Sequence, residues 1–512
     1  MDQTHGFYGR WLDVDLTARR CQARPLDAQT LRATLGGKGL AARLLLQENP
    51  PGCDPLGPDN RLVFAAGPAA RSLVWGSSRY GVFTRSPLTG GWCESYSGGR
   101  VPEAVDAAGY DAVVVHGRSD EPLLLVVHPE GCEFLDASQM AGMETYAAED
   151  AANQAVAELF PDFRKRGAAV VGPAGERGVP FACIENDYWR SAGRGGAGAV
   201  MGAKGLKAVA FAGDRQRVPA HPEAVAAQAK ALLAEGRDHP GVKAYKARGT
   251  TQMVAVLNTV QAFPARYWRQ GTCDHWEAIG GDRMHEEQQV TPHACLKCFM
   301  ACGRMTTVRT GRHAGLTIEG PEYETIYAFG GLCMIEDLGE IAWMNDLCDR
   351  LGMDTITAGN LVGLAMEATA LGRLRGYDPV PYGDADAAAL LLRQMAAGEG
   401  LGGVLARGIA PAAAELGLED LAVHVKGMEP AGYDPRVLKG MGLSYATSPR
   451  GACHLRTTFY KPELAGMIAP DAVEGKAALL ADFEDRLTVF DTLVLCRFFR
   501  DLYPWEALEE MV

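Results

Sequence analysis

The sequence predicts an α+β protein: a β-rich amino-terminal domain followed by two mainly helical domains. Three observations carry this. Short β-branched runs bounded by Gly or Pro crowd the first 213 residues. A polar break with two prolines, "GDRQRVPAHPE" (213–223), closes that region. Beyond it the apolar period lengthens from strand-like to helix-like spacing. The expected division is 1–213, 214–416 and 417–512, with a softer second boundary inside "LGLEDLAVHVKGMEPAGYDPR" (416–436).

In chain order, a helix is expected at "KGLAARLLLQ", after Gly36 and Gly37. Strands are expected at "RLVFAAG" (61–67), "DAVVVHG" (111–117), "PLLLVVHP" (122–129), "AAVVG" (168–172) and "KAVAFAG" (207–213). These apolar runs are short, β-branched and bounded by Gly or Pro, as strands are. The segments "PEAVAAQAKALLAEG", "EDLGEIAWMNDLCDRLG", "TITAGNLVGLAMEATALG" and "DAAALLLRQMAAGEG" read as amphipathic or buried helices. No repeat of solenoid period is found.

With 512 residues, the length suits roughly two to four domains with buried cores. Hydrophobic residues are 47% and charged residues 22%, an ordinary globular balance. The net charge of −13 and the lack of a long Lys/Arg run argue against a nucleic-acid partner. No run of about 18 apolar residues exists, so no membrane span is expected. The opening "MDQTHGFYGRWLDVDL" lacks an apolar core, and "RRCQARPLDAQ" is too polar for a twin-arginine signal; a cytoplasmic protein is expected. Thirteen cysteines in so long a chain do not make a disulfide scaffold.

Three of those cysteines form one cluster, Cys295-x-x-Cys298-x-x-x-Cys302, in "TPHACLKCFMACGR", with Pro292 and Gly303 at its edges. Closely spaced thiolates on a loop converge on soft metal. A C-x₂-C-x₃-C run supplies three of the four ligands of a [4Fe–4S] cluster. The fourth would be one of Cys333, Cys348, Cys453 or Cys496. Zinc is the alternative, but it usually takes a second C-x-x-C or His pair, which the sequence lacks. Chance core cysteines are the bland reading.

Glycine is densest in "GSSRYGVFTRSPLTGGWCESYSGGR" (76–100) and "NDYWRSAGRGGAGAVMGAKGLKAVAFAG" (186–213). Such backbone approaches a ligand closely and offers N–H groups to anions. Arg79, Arg85, Arg190 and Arg194 lie among the glycines and suit phosphates. Tight turns between packed strands are the alternative. Gly193-x-Gly195-x-x-Gly198 formally matches a dinucleotide fingerprint. That fingerprint needs a strand before and a helix after. The polar "ENDYWRSA" precedes it and the clear strand follows it, so the match is rejected.

Together the cysteine cluster, "SPLTGGWCES", "RSAGRGGAGAVMGAKGLKAVA", "GPEYETI", "LGMDTITAGN" and "YATSPRGACHLR" resemble the aldehyde ferredoxin oxidoreductase family over essentially the whole chain. The resemblance implies one tungsten, or molybdenum, held by two pterin dithiolenes, with a [4Fe–4S] cluster nearby. It implies Cys295, Cys298, Cys302 and Cys496 as the cluster ligands, the last 194 positions beyond Cys302. The family's paired D-x-x-G-L-C/D pterin motifs are matched by Asp349–Gly352–Asp354 and by Asp491–Leu495–Cys496, with Val494 in place of the second glycine. From spacing alone, Asp349 and Asp354 read as residues of a helix–turn–helix. Arg79 resembles the arginine between the pterins, and Arg456 stands where the family has a lysine. Tyr96 and Ser191, beside Arg190, match the carbonyls that hold a Mg²⁺ bridging the pterin phosphates.

The same resemblance implies oxidation of an aldehyde to a carboxylic acid, or the reverse. Electrons would pass to ferredoxin or a dedicated iron–sulfur subunit. Oligomers of one or two chain types both fit. Glu324 and His454 match the family's acid/base pair, with Glu322 competing for the glutamate's place. An aromatic acyl-CoA reductase-like subunit, and an inactive electron-transfer or scaffold subunit, are the alternatives. Members of the family usually continue well past the fourth cysteine; this chain ends 16 residues after it, so a shortened third domain or a truncated chain is expected.

Overall fold

A computed structural model describes residues 5–512. Residues 1–4, part of the amino-terminal stretch considered for a targeting signal, lie outside the described residues. Packing divides the chain into two units: Met1–His239 with Cys295–Phe299 and Arg486–Val512, and Pro240–Ala294 with Met300–Asp485.

The first unit is built on two six-stranded sheets. One comprises β1 (Arg10–Asp15), β2 (Arg20–Pro25), β3 (Leu62–Ala65), β4 (Tyr80–Arg85), β5 (Trp92–Ser97) and β6 (Ala112–His116), in the order β2-β1-β6-β3-β4-β5. The other comprises β7 (Leu123–His128), β8 (Gly131–Asp136), β9 (Lys165–Val170), β10 (Ile184–Asn186), β11 (Arg190–Ala192) and β12 (Leu206–Gly213), in the order β11-β10-β9-β12-β7-β8. All five expected strands are present.

Side-chain alternation explains the layering. Leu62 and Phe64 of β3 face the same core as Leu125 of β7 and Phe211 of β12, so one core joins the two sheets. Val63, Ala65 and Val114 point the other way, against Leu40 and Leu44 of the helix Gly37–Glu48. On the second sheet, Val126, Val170 and Ala210 face Ala148, Ala152 and Val156 of the helix Thr145–Leu159. Both faces of each sheet are therefore covered. This is why the central strands read as continuous apolar runs.

The rejected fingerprint has more local structure than expected. The short strand β11 does precede its glycines, and a short helix, Ala197–Ala203, follows. But β11 pairs antiparallel with β10 at a sheet edge, which is a hairpin and not the βαβ unit that binds dinucleotides.

The second unit is mainly helical, with a small sheet of β13 (Gln289–His293), β14 (Gly303–Thr307) and β15 (Thr317–Glu319). The expected helices appear as Leu338–Leu351, Thr355–Ala370 and Ala385–Ala397. Asp337 caps the first of these by accepting from the Gly339 and Glu340 N–H groups. Thr355–Ala370 is buried almost all round and forms the unit's core. The expected helix after Pro222 is Pro222–Asp238, in the first unit. Among the described residues no helix is long and apolar enough to cross a membrane.

Candidate functional site

The cysteine loop runs from the end of β13 to the start of β14 without regular structure. Lys297 and Ala301 take positive φ, 54° and 46°, so the loop reverses sharply between the thiols. Within the first unit the Leu296 N–H donates to the Gly99 carbonyl at 3.5 Å, tying the loop to the first glycine segment. Gly98 is needed there: a Cβ on it would stand 2.7 Å from Cys295 Sγ. Cys496 reaches the same segment from the carboxyl-terminal end, its N–H donating to the Gly76 carbonyl at 2.8 Å.

Arg79 stands beside Cys496. Its Nη1 lies 3.8 Å from Cys496 Sγ. It also lies 3.7 Å from the same point on Gly98 that crowds Cys295 Sγ. A guanidinium beside a thiol offsets the negative charge an all-thiolate site would build up. Cys298 lies in the first unit with Cys295, and Cys302 in the second. None of the thirteen cysteines is in a disulfide. Among the described residues no group of three or more His, Cys, Asp or Glu side chains is gathered for a single metal ion.

Asp491, also in the first unit, is buried at 2% exposure. Arg497 pairs with it, and Lys38 Nζ stands 3.8 Å from its Oδ2 and 3.4 Å from Glu94 Oε1. The segment passes very close to two glycines. A Cβ on Gly37 would come within 2.7 Å of the Asp491 carbonyl oxygen, and one on Gly67 within 1.9 Å of that of Leu493. Leu495 is buried at 3% exposure and its N–H donates to the Phe490 carbonyl at 2.8 Å. Val494 has φ 54°, the left-handed conformation of the glycine it replaces.

The Tyr96 carbonyl accepts from Arg79 Nη2 at 3.0 Å, and a carbonyl oxygen has a second lone pair to offer. Ser191 sits on β11, in contact with β5 where Tyr96 lies, and its hydroxyl donates to Glu185 Oε2 at 2.6 Å. Arg190, at the start of β11, packs its stem by Gly99. These four residues are thus brought to neighbouring strand ends.

In the second unit, Asp349 and Asp354 flank the turn between two helices, as spacing suggested. Asp354 caps the helix Thr355–Ala370, accepting from the Ile356 and Thr357 N–H groups. Asp349 accepts from Asn345 Nδ2 at 2.7 Å. Gly352 closes the preceding helix with φ 75°. The Asp354 carboxylate also accepts from Thr357 Oγ1 at 2.9 Å.

Glu324 and His454 come together. Glu324 Oε1 lies 3.6 Å from His454 Nε2, and Oε2 accepts from the Gly432 N–H at 3.0 Å. Tyr433 stacks on His454 with ring centroids 5.7 Å apart, and on Tyr460 at 4.1 Å. Burial, the neighbouring phenols and the Glu324 charge hold Tyr323 and Tyr433 well above the usual tyrosine range, so both stay neutral hydroxyls. Glu322 points elsewhere, accepting from Thr250 Oγ1. Glu324 leads directly into a buried π-helical segment, Ile326–Leu332, an irregularity that often marks functional sites. Arg456 is buried at 2% exposure in the loop that carries His454.

Sequence reading missed Lys38, Glu94 and Arg497 around Asp491, and the Tyr323–Tyr433–Tyr460 wall beside His454. Lys38 and Glu94 lie some 400 positions or more from Asp491 and Tyr323 lies 131 from His454, so no local spacing announces them; Arg497 and Tyr460, six residues from Asp491 and His454, fall in no recognised motif. "EPAGYDPR" signalled only a boundary.

The donor chemistry fits the cofactors the resemblance implies. In the first unit the Cys496 thiol lies beside the Arg79 guanidinium and the Cys295 thiol lies against Gly98, and such soft donors suit an iron–sulfur cluster. Aspartate carboxylates, as hydrogen-bond acceptors, suit the N–H edge of a pterin.

Comparison with known proteins identifies the family. The family model "Aldehyde ferredoxin oxidoreductase, N-terminal domain" matches residues 11–213, and "Aldehyde ferredoxin oxidoreductase, domains 2 & 3" matches 227–512. A tungsten-containing aldehyde ferredoxin oxidoreductase of Pyrococcus furiosus is 34% identical over 507 residues, covering 96% of this chain and 82% of the relative. The WOR-like subunit of an aliphatic sulfonate oxidoreductase from the same organism is 28% identical over 483 residues, covering 88% of this chain and 76% of that one. Among solved structures, the active-site complex BamBC of benzoyl coenzyme A reductase with 1,5-dienoyl-CoA aligns with TM-score 0.78 at 23% identity, covering 97% of this chain and 82% of that chain. That likeness carries the fold. The chain belongs to the aldehyde ferredoxin oxidoreductase family.

Proposed function

We propose that this chain is a tungsten- or molybdenum-bis-pterin oxidoreductase that converts an aldehyde and water to a carboxylic acid, two protons and two electrons, or runs the reverse. The pairing of Glu324 with His454 beneath Tyr433 carries the reading. When bound, the metal–pterin group would supply the two-electron step, and a [4Fe–4S] cluster would pass the electrons on singly.

The chain's own residues do the rest. Cys295, Cys298, Cys302 and Cys496 would hold the cluster, with Arg79 offsetting its thiolate charge. Asp349, Asp354, Asp491 and Leu495 would seat the pterins, with Arg456 as a further contact. The carbonyls of Tyr96 and Ser191, with Arg190, would hold Mg²⁺. Glu324, oriented by the Gly432 N–H, takes a proton from the attacking water or aldehyde hydrate. His454 Nε2 polarises the carbonyl oxygen. The tyrosine wall excludes water and favours apolar or aromatic aldehydes. Ferredoxin or an iron–sulfur subunit accepts the electrons in the cytoplasm. The proposed domains remain 1–213, 214–416 and 417–512.

The test combines elemental analysis of anaerobically purified protein with aldehyde-dependent reduction of a viologen dye. Roughly four irons and one tungsten or molybdenum per chain are expected. Glu324→Gln should lower kcat about 10²–10⁴-fold with metal content unchanged. Full turnover in that variant would remove Glu324 from the mechanism. Reduction of an aryl-CoA with no aldehyde activity would replace the proposed reaction.

A further inference from the structure

We propose that Cys21 and Cys132 form an oxidisable dithiol, a modification site at which a low-molecular-weight disulfide drives a bond between the edges of the two six-stranded sheets.

The placement comes from topology. β2 is the outermost strand of one sheet and β8 the outermost strand of the other, and the two strands touch. Five of the six residues of β2 are exposed; Cys21 alone is half-buried, which marks it as the position facing inward. Cys21 and Cys132 pack on the margin of the core the sheets share, beside Phe134. The residues are 111 positions apart, and Cys21 Sγ lies 4.0 Å from the Cys132 carbonyl oxygen. Gly131 leaves room for the contact: a Cβ there would sit 3.4 Å from the same sulfur.

The thiols are also chemically unlike. A hydrogen bond from the Cys132 thiol pushes Cys21 down to about 7, against burial and the charge of Glu133. The same bond, with burial, holds Cys132 well above the usual thiol range. Cys21 is thus the nucleophile and Cys132 the resolving thiol. The steps balance. Cys21 thiolate attacks one sulfur of oxidised glutathione and expels a glutathione thiolate. Cys132 gives its proton to solvent or to that thiolate, attacks the mixed disulfide at Cys21 and expels the second glutathione. The protein loses two electrons; the glutathione disulfide gains them.

Neither cysteine belongs to the residues assigned to the cofactors, so the proposal stands apart from the functional reading. The experiment treats anaerobically purified holoprotein with oxidised glutathione, blocks remaining thiols by alkylation and maps peptides by mass spectrometry. A Cys21–Cys132 cross-linked peptide, loss of two alkylatable thiols and a rise in Tm reversed by dithiothreitol are expected. Cys132→Ser should instead accumulate one glutathione on Cys21, and Cys21→Ser should abolish both the cross-link and the Tm rise. A wild-type protein that keeps both thiols, or that holds glutathione on Cys21 without cross-linking, overturns the proposal.

Discussion

Two helix ends in this molecule carry the same sequence motif and solve the same backbone problem with different residues. The helix Leu338–Leu351 ends at Gly352, and the helix Lys476–Leu493 ends at Val494. Both terminal residues take the left-handed conformation, with φ 75° and 54°. In both, the next N–H reaches back five residues: Met353 to the Cys348 carbonyl at 2.9 Å, Leu495 to the Phe490 carbonyl at 2.8 Å. This is a Schellman closure, which ordinarily wants glycine. A β-branched residue there costs about 1–2 kcal/mol. Val494 is 1% exposed and packs against Gly37 and Gly67, and burying a valine returns about 1.5–3 kcal/mol. The geometry of the motif survives the loss of its glycine because packing outweighs the strain.

Beyond the turn the two ends diverge. Asp354 after Gly352 caps the next helix, whereas Cys496 after Val494 is tied to Gly76 and lies by Arg79. The largest effect should therefore come from the second end. Cys496→Ser should lose most of the protein's iron, measured on anaerobically purified protein, while Gly352→Val keeps it. Equal iron in the two variants would mean that Cys496 is not a ligand.

A pH effect comes next in size and concerns another place where non-glycine residues hold positive φ. Asp187 and Tyr188 do so at 49° and 61°, and their N–H groups both donate to Glu149. Burial, opposed by those hydrogen bonds, raises the Glu149 carboxyl to about 7. A carboxyl raised on folding binds its proton more tightly in the folded state. Its contribution is complete below the unfolded value near 4.5 and is lost as pH rises through about 7. Stability should fall by up to about 3 kcal/mol across that window, an upper bound from the size of the shift. Glu149→Gln should flatten the profile in urea melts recorded from pH 4.5 to 7.5. An unchanged slope would assign the pH dependence elsewhere.

Exchanging the motif residues gives smaller effects. Gly352→Val should cost about 1–2 kcal/mol, because it imports strain with no pocket prepared for the side chain. Val494→Gly should cost only about 0–1 kcal/mol, since relief of strain offsets lost burial. Val494→Ala keeps the strain and loses methyl groups, so it should be at least as destabilising as Val494→Gly. The reverse order in thermal melts would show that Val494 is not strained.

Much of the fold was legible because its signals are local. Strands buried on both faces read as apolar runs, and the long helices read by period. The cysteine loop, the helix–turn–helix around Asp349–Asp354 and the glycine segments were visible for the same reason. Glu324 could not be separated from Glu322 by register, since both lie in one short segment. Their distinct partners, Gly432 with His454 for one and Thr250 for the other, are set by residues far along the chain.

By itself, then, the sequence determined the element types, the family and the spacing of the three clustered thiols, all of which depend on neighbours within a few turns of chain. Only the tertiary structure decided that Arg79 stands beside Cys496, that Tyr433 covers His454, that Val494 bears a glycine's conformation, and that Cys21 meets Cys132. Each of these is a contact between residues that spacing cannot relate, fixed by which sheets and helices share a core.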